Sequence, residues 1–332
     1  SILVYGPLSD KIGRRPVVLF GLVLFCIANF SIAFVDSIQY FLLLRFIQGI
    51  GAGVSWGLSR IIAADVMQNE RLAAIGSYFT LFLSLSPLFA PVLGGYIQHW
   101  FHWQANFIFL GGFILLVLIS YLLFFEETNQ HKNANAFALK PLLNTYASFF
   151  KNQFFVGAVL LGGVALSLNI VYVTLSSFIF QEQFHTSPIM FGWLTAVVGL
   201  SGVLTKTISP IFILKSTNHK IMRVGVWLTL ISGLFLLLPS MMGVVNISIV
   251  LIGASIAMTA LNLMAPTAMS MALSPFHDKR GSAGALFASF QLFLSFGISG
   301  LVAALPYLGT SVLAGIYTLL GLIAIGLNKK LL

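Results

Sequence analysis

Long apolar runs alternate with short polar breaks along this chain, and the runs are of bilayer length. Ten of them, at 17–35, 40–65, 73–97, 105–126, 152–181, 187–214, 221–241, 246–275, 282–304 and 308–328, reach the about 20 residues that an α-helix needs to cross a hydrocarbon core. Residues 1–8 read as the end of one more. The longer runs must tilt or extend past the hydrocarbon. One polar stretch, 129–151, is longer than the rest and separates four runs and the tail from six runs. Within it Leu139, Leu142, Leu143, Tyr146, Phe149 and Phe150 recur at helical spacing. That spacing fits an amphipathic helix lying on the membrane surface, or a linker whose apolar residues fall there by chance.

Composition sharpens the membrane reading. The chain is 58% hydrophobic and 8% charged, with a mean hydropathy of +0.99, against about 25% charged residues in a soluble domain. The single cysteine, Cys26, lies in an apolar run, so there is no disulfide framework and no redox compartment to read. The net charge of +9 is explained by where the cations stand. Lys11, Arg14 and Arg15, then Arg71, then Lys132, Lys140 and Lys151, then Lys215, Lys220 and Arg223, then Lys279 and Arg280, then Lys329 and Lys330 all fall on one side. The alternate loops, 36–39, 98–104, 182–186, 242–245 and 305–307, hold no lysine or arginine. The basic side, with the C-terminus, is therefore expected in the cytoplasm. The charge marks topology and contact with anionic lipid, not nucleic acid.

Two halves follow from this layout: a helical bundle at 1–128, a cytoplasmic linker at 129–151, and a six-helix bundle at 152–332. If the halves are structural repeats, as in many transporters, about one and a half helices are lacking at the front. The chain starts with Ser1 and shows no signal peptide, so the reading expects a chain truncated at its N-terminus.

The densest motif lies between the tail and the first full span. Gly6-Pro-Leu-Ser-Asp10-Lys-Ile-Gly13-Arg14-Arg15-Pro16 sets one carboxylate, three cations and two glycines in what reads as a tight turn. It resembles the signature loop of the major facilitator superfamily, G-x-L-a-D-r-x-G-r-[rk], with Ser9 for the usual Ala and Lys11 for the usual Arg. The resemblance implies an all-α integral membrane protein of two six-helix bundles, here without the first helix and most of the second. It also implies a cytoplasmic latch made by Gly6, Asp10, Gly13, Arg14 and Asp65. There the loop Asp docks at a later helix N-terminus, for which Gly281-Ser-Ala-Gly-Ala285 offers small side chains and exposed amides. The alternative is a charged turn that fixes topology alone.

A second motif lies inside the 40–65 run. Arg45 stands about two turns from the non-cytoplasmic end, where an intramembrane cation needs water or a partner. Gly49, Gly53 and Gly57 follow at four-residue steps, the small-residue pattern of close helix packing, and Arg45 continues that stripe. With Gln48 the stretch is similar to the superfamily's R-x-x-q-G motif, which implies a role for Arg45 in proton coupling. Snorkelling to the outer interface near Asp36 and Gln39 is the competing reading.

A third motif is Pro87-Leu-Phe-Ala90-Pro91-Val-Leu-Gly94-Gly95. Prolines four apart bend a membrane helix, and paired glycines open it to close packing. This looks like the antiporter motif of exporters, and with Trp100, Trp103-Gln104 and Glu127-Thr128 it resembles the bicyclomycin/chloramphenicol-resistance branch, which usually has Trp-Arg where this chain has Trp103-Gln104.

Gln48, Asn169, Tyr172, Met258, Asn262 and Gln291 are candidates for a central substrate cavity. Each either lines it or hydrogen-bonds between helices. Met264, Met269 and Met271 gather near Asn262, as adaptable binding surface or as packing. Lys206, about two turns from Lys215, either snorkels or joins the cavity. No acidic residue or histidine stands mid-membrane. A proton-binding carboxylate is thus expected in the lacking N-terminal helices, with Arg45 tuning it, unless the protein is a uniporter. There is no H-E-x-x-H, and His99 and His102 have no nearby cysteine or carboxylate to complete a site, so no metal and no enzymatic activity are expected. The expected function is export of small amphiphilic drugs or metabolites by a monomer in a bacterial inner membrane. It needs no cofactor beyond a proton gradient. A siderophore or other metabolite exporter fits the same residues, and a non-transporting scaffold or inactive fragment is the reading from another class.

Overall fold

The computed structural model describes residues 2–66, 69–129, 146–213, 215–276, 280–305, 307 and 309–331. Among them every regular element is helical. The elements are α1 (Ile2–Ile12), α2 (Arg14–Ile32), α3 (Ile38–Val66), α4 (Asn69–Phe101), α5 (Gln104–Phe124), α6 (Gln153–Ser177), α7 (Pro188–Ile213), α8 (Asn218–Met242), α9 (Ile247–Leu273), α10 (Arg280–Ala303) and α11 (Thr310–Leu331). A π-helical turn, Phe178–Gln183, extends α6. Nine stretches among the described residues are long and apolar enough to cross a membrane. They coincide with nine of the ten predicted runs; the other, 73–97, lies inside α4. Most of the expected linker helix, 130–145, lies outside the described residues, and 146–150 are helical.

Local chemistry sets several helix ends. Asn152 caps α6 by accepting from the Phe154 and Phe155 amides at 3.0 and 3.1 Å, and Asn246 caps α9 through the Ile249 amide at 2.9 Å. Gly243, at φ 70°, ends α8 in the left-handed conformation. Gln183 Oε1 accepts from both the backbone amide and the hydroxyl of Thr310 at 3.0 Å, so the π-turn holds the start of α11.

Helix contacts divide the chain into two units: 1–83 with 96–143, and 84–95 with 144–332. The segment Ser84–Gly95 of α4 therefore belongs to the second unit, whereas the boundaries expected from sequence place it in the first. In the first unit Val17, Val18 and Leu22 of α2 pack with Val54 and Leu58 of α3, under Tyr5 of α1 and Ile114, Val117, Leu118 and Tyr121 of α5. α2 and α3 approach closely at Gly51, where a Cβ would lie 2.6 Å from the Gly21 carbonyl oxygen. That contact is one face away from the Gly49-Gly53-Gly57 stripe; at Gly49 a Cβ would meet nothing within 4 Å.

In the second unit α6 is the central helix and packs against α9, α10 and α11, while α8 packs against α9 and α11. Its buried Leu161, Leu168 and Leu175 share a core with Met264, Phe287 and Tyr317. In the first unit α5 turns large apolar side chains outward, with Phe113 56% exposed and Leu123 70%. Such a surface suits lipid and not water.

The Pro–Gly stretch of α4 packs on α7 backbone to backbone. A Cβ at Gly192 would lie 2.5 Å from the Pro91 carbonyl oxygen, one at Gly199 3.0 Å from the Pro87 oxygen, and one at Gly95 would collide with the Pro188 oxygen. Gly192→Ala is expected to cost about 1–3 kcal/mol, because the obstacle is backbone and cannot rotate away. Gly326→Ala, on an exposed helical face where nothing lies within 4 Å, should be neutral or stabilising by about 0.5–1 kcal/mol. Thermal unfolding of the two variants in detergent checks the contrast. Equal effects would refute the packing account.

Candidate functional site

The charged segment Gly6–Pro16 is helix on both sides of one residue. α1 runs through Asp10 and Lys11 to Ile12, α2 begins at Arg14, and Gly13 alone makes the turn at φ 112°, ψ 158°. This places the Arg14 guanidinium, only 6% exposed, between two carboxylates. Its Nη1 lies 2.5 Å from Asp10 Oδ1 and donates to Ser9 Oγ at 2.6 Å, and its Nε donates to Asp65 Oδ2 at 3.0 Å. Three of the expected latch residues are thereby in direct contact. Gly6 is helical and open, with nothing within 4 Å of a Cβ there.

Glu127 and Asn129 complete the joint, and neither role was read from sequence. The Glu127 carboxylate accepts the Arg14 amide at 2.8 Å and the Arg15 amide at 3.2 Å, so it caps α2 where the helix dipole favours an anion. Asn129 donates its backbone N–H to Glu127 at 2.9 Å and its side-chain amide to the Ser9 and Asp10 carbonyls at 3.2 Å. The uncapped glycine before Arg14 was the available signal, since α2 has no side-chain cap of its own.

Arg14→Ala is expected to cost about 2 kcal/mol, less than the 3–5 kcal/mol typical of a fully buried pair, because both carboxylates keep some water contact. Arg14→Lys should recover less than half, since an ammonium cannot serve Asp10, Ser9 and Asp65 in one fork. Unfolding midpoints of the two variants test the ordering, and Lys matching Arg would overturn it.

Arg45 heads a polar chain into the first unit. Its Nη1 donates to Gln48 Oε1 at 2.5 Å, Gln48 Nε2 donates to Asn29 Oδ1 at 2.8 Å, and Asn29 Nδ2 donates to the Phe25 carbonyl at 2.7 Å. Gln48 and Asn29 are buried, while Arg45 is exposed with its guanidinium 5.9 Å from the Phe107 ring centroid. Phe107 also stands edge-on to Phe41 and Trp103. Asn29 was not singled out, although an amide in an apolar run meets the same criterion that marked Arg45.

The second unit holds a cavity of about 330 Å³. Its wall is Ser84, Ser86, Pro87, Ala90 and Pro91 of α4, Asn169, Tyr172 and Val173 of α6, Thr195, Val198, Gly199, Gly202, Val203 and Lys206 of α7, and Met258, Leu261 and Asn262 of α9. Asn169, Tyr172, Met258 and Asn262 thus share one space, joined by Lys206 and both motif prolines. Gln48 and Gln291 do not line it; Gln291 donates to the Gly162 carbonyl at 2.9 Å and ties α10 to α6. Met264 and Met271 are core residues. Gly94 and Gly95 lie past the cavity, toward Pro188. Among the described residues no group of acidic, histidine or cysteine side chains is placed to hold a metal.

Comparison with known proteins identifies the family. Residues 1–300 match the Major Facilitator Superfamily. Multidrug resistance protein D of Escherichia coli (strain K12) is 29% identical over 342 aligned positions, covering 98% of this chain and 81% of the relative. Multidrug resistance protein MdtL of Shewanella oneidensis is 28% identical, covering 88% of this chain and 73% of the relative. A bicyclomycin resistance protein homolog of Haemophilus influenzae is 24% identical, covering 91% and 76%. A crystal structure of a D-xylose-proton symporter superposes with a TM-score of 0.77 at 17% identity over 98% of this chain and 82% of that one. A POT family transporter in complex with 5-aminolevulinic acid gives 0.72 at 16% identity over 99% and 84%. With that match over most of its length, this multi-pass membrane chain belongs to the Major Facilitator Superfamily, a family of non-enzymatic transporters.

Proposed function

We propose that this protein exports small amphiphilic compounds, drugs or metabolites, by alternating access, with proton entry as the energy source. The observation that carries the reading is the cavity walled by Pro87 and Pro91, the prolines of the exporter-type motif, with scattered polar groups in an apolar lining. A volume of about 330 Å³ falls in the range of drug-sized ligand sites. Three relatives named for multidrug or bicyclomycin resistance support the same direction of transport. Asp10, Arg14 and Asp65 serve as the cytoplasmic latch of the cycle, and Arg45 serves proton coupling. The distribution of basic loops supports a cytoplasmic C-terminus, and the proposal takes the protein as a monomer in a bacterial inner membrane.

The energetics are sufficient. A proton entering across about 100 mV and one pH unit releases about 3.7 kcal/mol, which supports a substrate gradient of several hundred-fold. Full-length protein in proteoliposomes with an imposed pH gradient tests the reading. Gradient-stimulated efflux of chloramphenicol and of the amphiphilic anion 8-anilinonaphthalene-1-sulfonate, abolished by a protonophore, is the expected result. Transport of both at one rate with and without the gradient would overturn proton coupling and leave a facilitator.

A further inference from the structure

The cavity has two chemically different ends. Thr195 and Lys206 lie on one helix, 11 residues apart, or about 16 Å along its axis. At the Thr195 end the Tyr172 hydroxyl, on a side chain 2% exposed, stands beside the Thr195 hydroxyl, and beyond that mutual contact neither has a hydrogen bond to a described residue. At the other end Lys206 stands one turn beyond Gly202, against which the Asn262 amide lies at 3.0 Å from a Cβ position. The Asn262 Nδ2 is engaged by the Met258 carbonyl at 2.7 Å. Lys206 makes no ion pair with any described residue, and no carboxylate is among the residues lining the cavity. Between the ends the wall is mostly apolar, with Ser84, Ser86 and Asn169 as its polar groups.

We infer that this cavity selects elongated amphiphilic acids, with the anionic head at Lys206 and a hydrogen-bond acceptor at Tyr172 and Thr195. The inference rests on the proposed substrate site and adds the charge of its ligand. An unpaired ammonium attracts a carboxylate or sulfonate and repels an organic cation. Lys206 is exposed and lines the cavity, and its Cα–Cβ bond tilts toward the N-terminal, Thr195 end of its helix, so its ammonium can reach a ligand held there. Two buried hydroxyls that have only each other leave one O–H without an acceptor, which favours a ligand that supplies one. The span between the two ends, shortened by the lysine stem, fits a two-ring molecule with polar groups at opposite poles. Export of such an anion is also assisted by a membrane potential that is negative inside.

The test is binding of four matched probes to the full-length protein in detergent, by calorimetry at neutral pH and without a gradient. They are 4′-acetylbiphenyl-4-carboxylate, its 4-carboxamide, its 4-aminomethyl analogue, and biphenyl-4-carboxylate without the acetyl group. The wild type should bind the acetyl acid about tenfold more tightly than the amide, and the ammonium probe most weakly. Lys206→Met should erase the preference for the acid and leave amide binding unchanged, while Lys206→Arg should keep it. Tyr172→Phe should weaken the acetyl acid about threefold and leave biphenyl-4-carboxylate unchanged. Equal binding of acid and ammonium by the wild type would overturn the inference even if no Lys206 variant folds. So would an acid preference that survives Lys206→Met. Because no transport is measured, a protein that shows the acid preference but no gradient-driven efflux refutes the transport reading alone. One that exports chloramphenicol under a gradient without preferring the acid refutes only this inference.

Discussion

Gly13→Ala is expected to destabilise the protein by about 3 kcal/mol, the sum of backbone strain and lost capping. At φ 112°, ψ 158° the residue occupies a region that an L side chain essentially never adopts, worth about 1–3 kcal/mol in strain. A Cβ there would also run into the Glu127 carboxylate, with Cδ at 3.0 Å. That carboxylate ends a flexible side chain and can swing away, but doing so strips the Arg14, Arg15 and Asn129 amides of their acceptor. The two causes separate in a double-mutant cycle. In a Glu127→Ala background the clash and the cap are already absent, so the remaining cost of Gly13→Ala should fall to the strain alone, about 1–2 kcal/mol. Unfolding midpoints of the four proteins decide the matter. A Gly13→Ala penalty that vanishes in the Glu127→Ala background would show that the backbone angle costs nothing.

Glu127→Gln is the milder companion. A glutamine keeps one oxygen for Arg14 and turns an NH₂ toward the Arg15 amide, so a loss of about 1 kcal/mol is expected. The joint therefore depends on a residue more than a hundred positions from the loop it holds, and that distance explains how it escaped the sequence. The apolar runs, the loop charges and the Pro–Gly stretch are local signals, and the helices at 14–32, 104–124, 153–177 and 247–273 follow runs visible as plain hydropathy. Which small residue makes a helix contact is a question of rotation about the axis. The stripe through Gly49, Gly53 and Gly57 has the right spacing, yet Gly51 makes the close crossing with Gly21, because the buried face of α3 is set by Val54 and Leu58. Similarly, Asn262 and Gln291 are both amides in apolar runs. One lines the cavity and the other meets the Gly162 carbonyl, and only the packing of α6, α9 and α10 tells them apart. The extent of α1 was also hidden. A segment with Pro7 and several charges reads as a turn, yet α1 continues through Pro7, its sixth residue, and carries Asp10 and Lys11 in its last turn.

Arg45→Ala is expected to lower gradient-driven efflux at least about tenfold while leaving substrate exchange without a gradient within about twofold of the wild type, as typical couplings between sites run from about 5- to 150-fold. The guanidinium is held from one side by Gln48, whose amide is fixed in turn by Asn29 inside the first unit. Among the described residues that chain sets where the charge stands without using a carboxylate, and on the proposed reading this leaves the cation to tune a proton-binding group. Arg45→Lys keeps the charge but reaches Gln48 with a single donor on a looser stem, and it should retain part of the coupling. Gln48→Leu leaves Asn29 Oδ1 buried without its donor, at about 1–3 kcal/mol in stability, and releases Arg45 from its position. It should then reproduce part of the Arg45→Ala coupling defect with the charge still present. Internal pH and dye efflux followed together in proteoliposomes separate these effects from simple loss of folded protein. If Arg45→Ala slows gradient-driven efflux and gradient-free exchange by the same factor, the arginine shapes the transporter and plays no part in coupling.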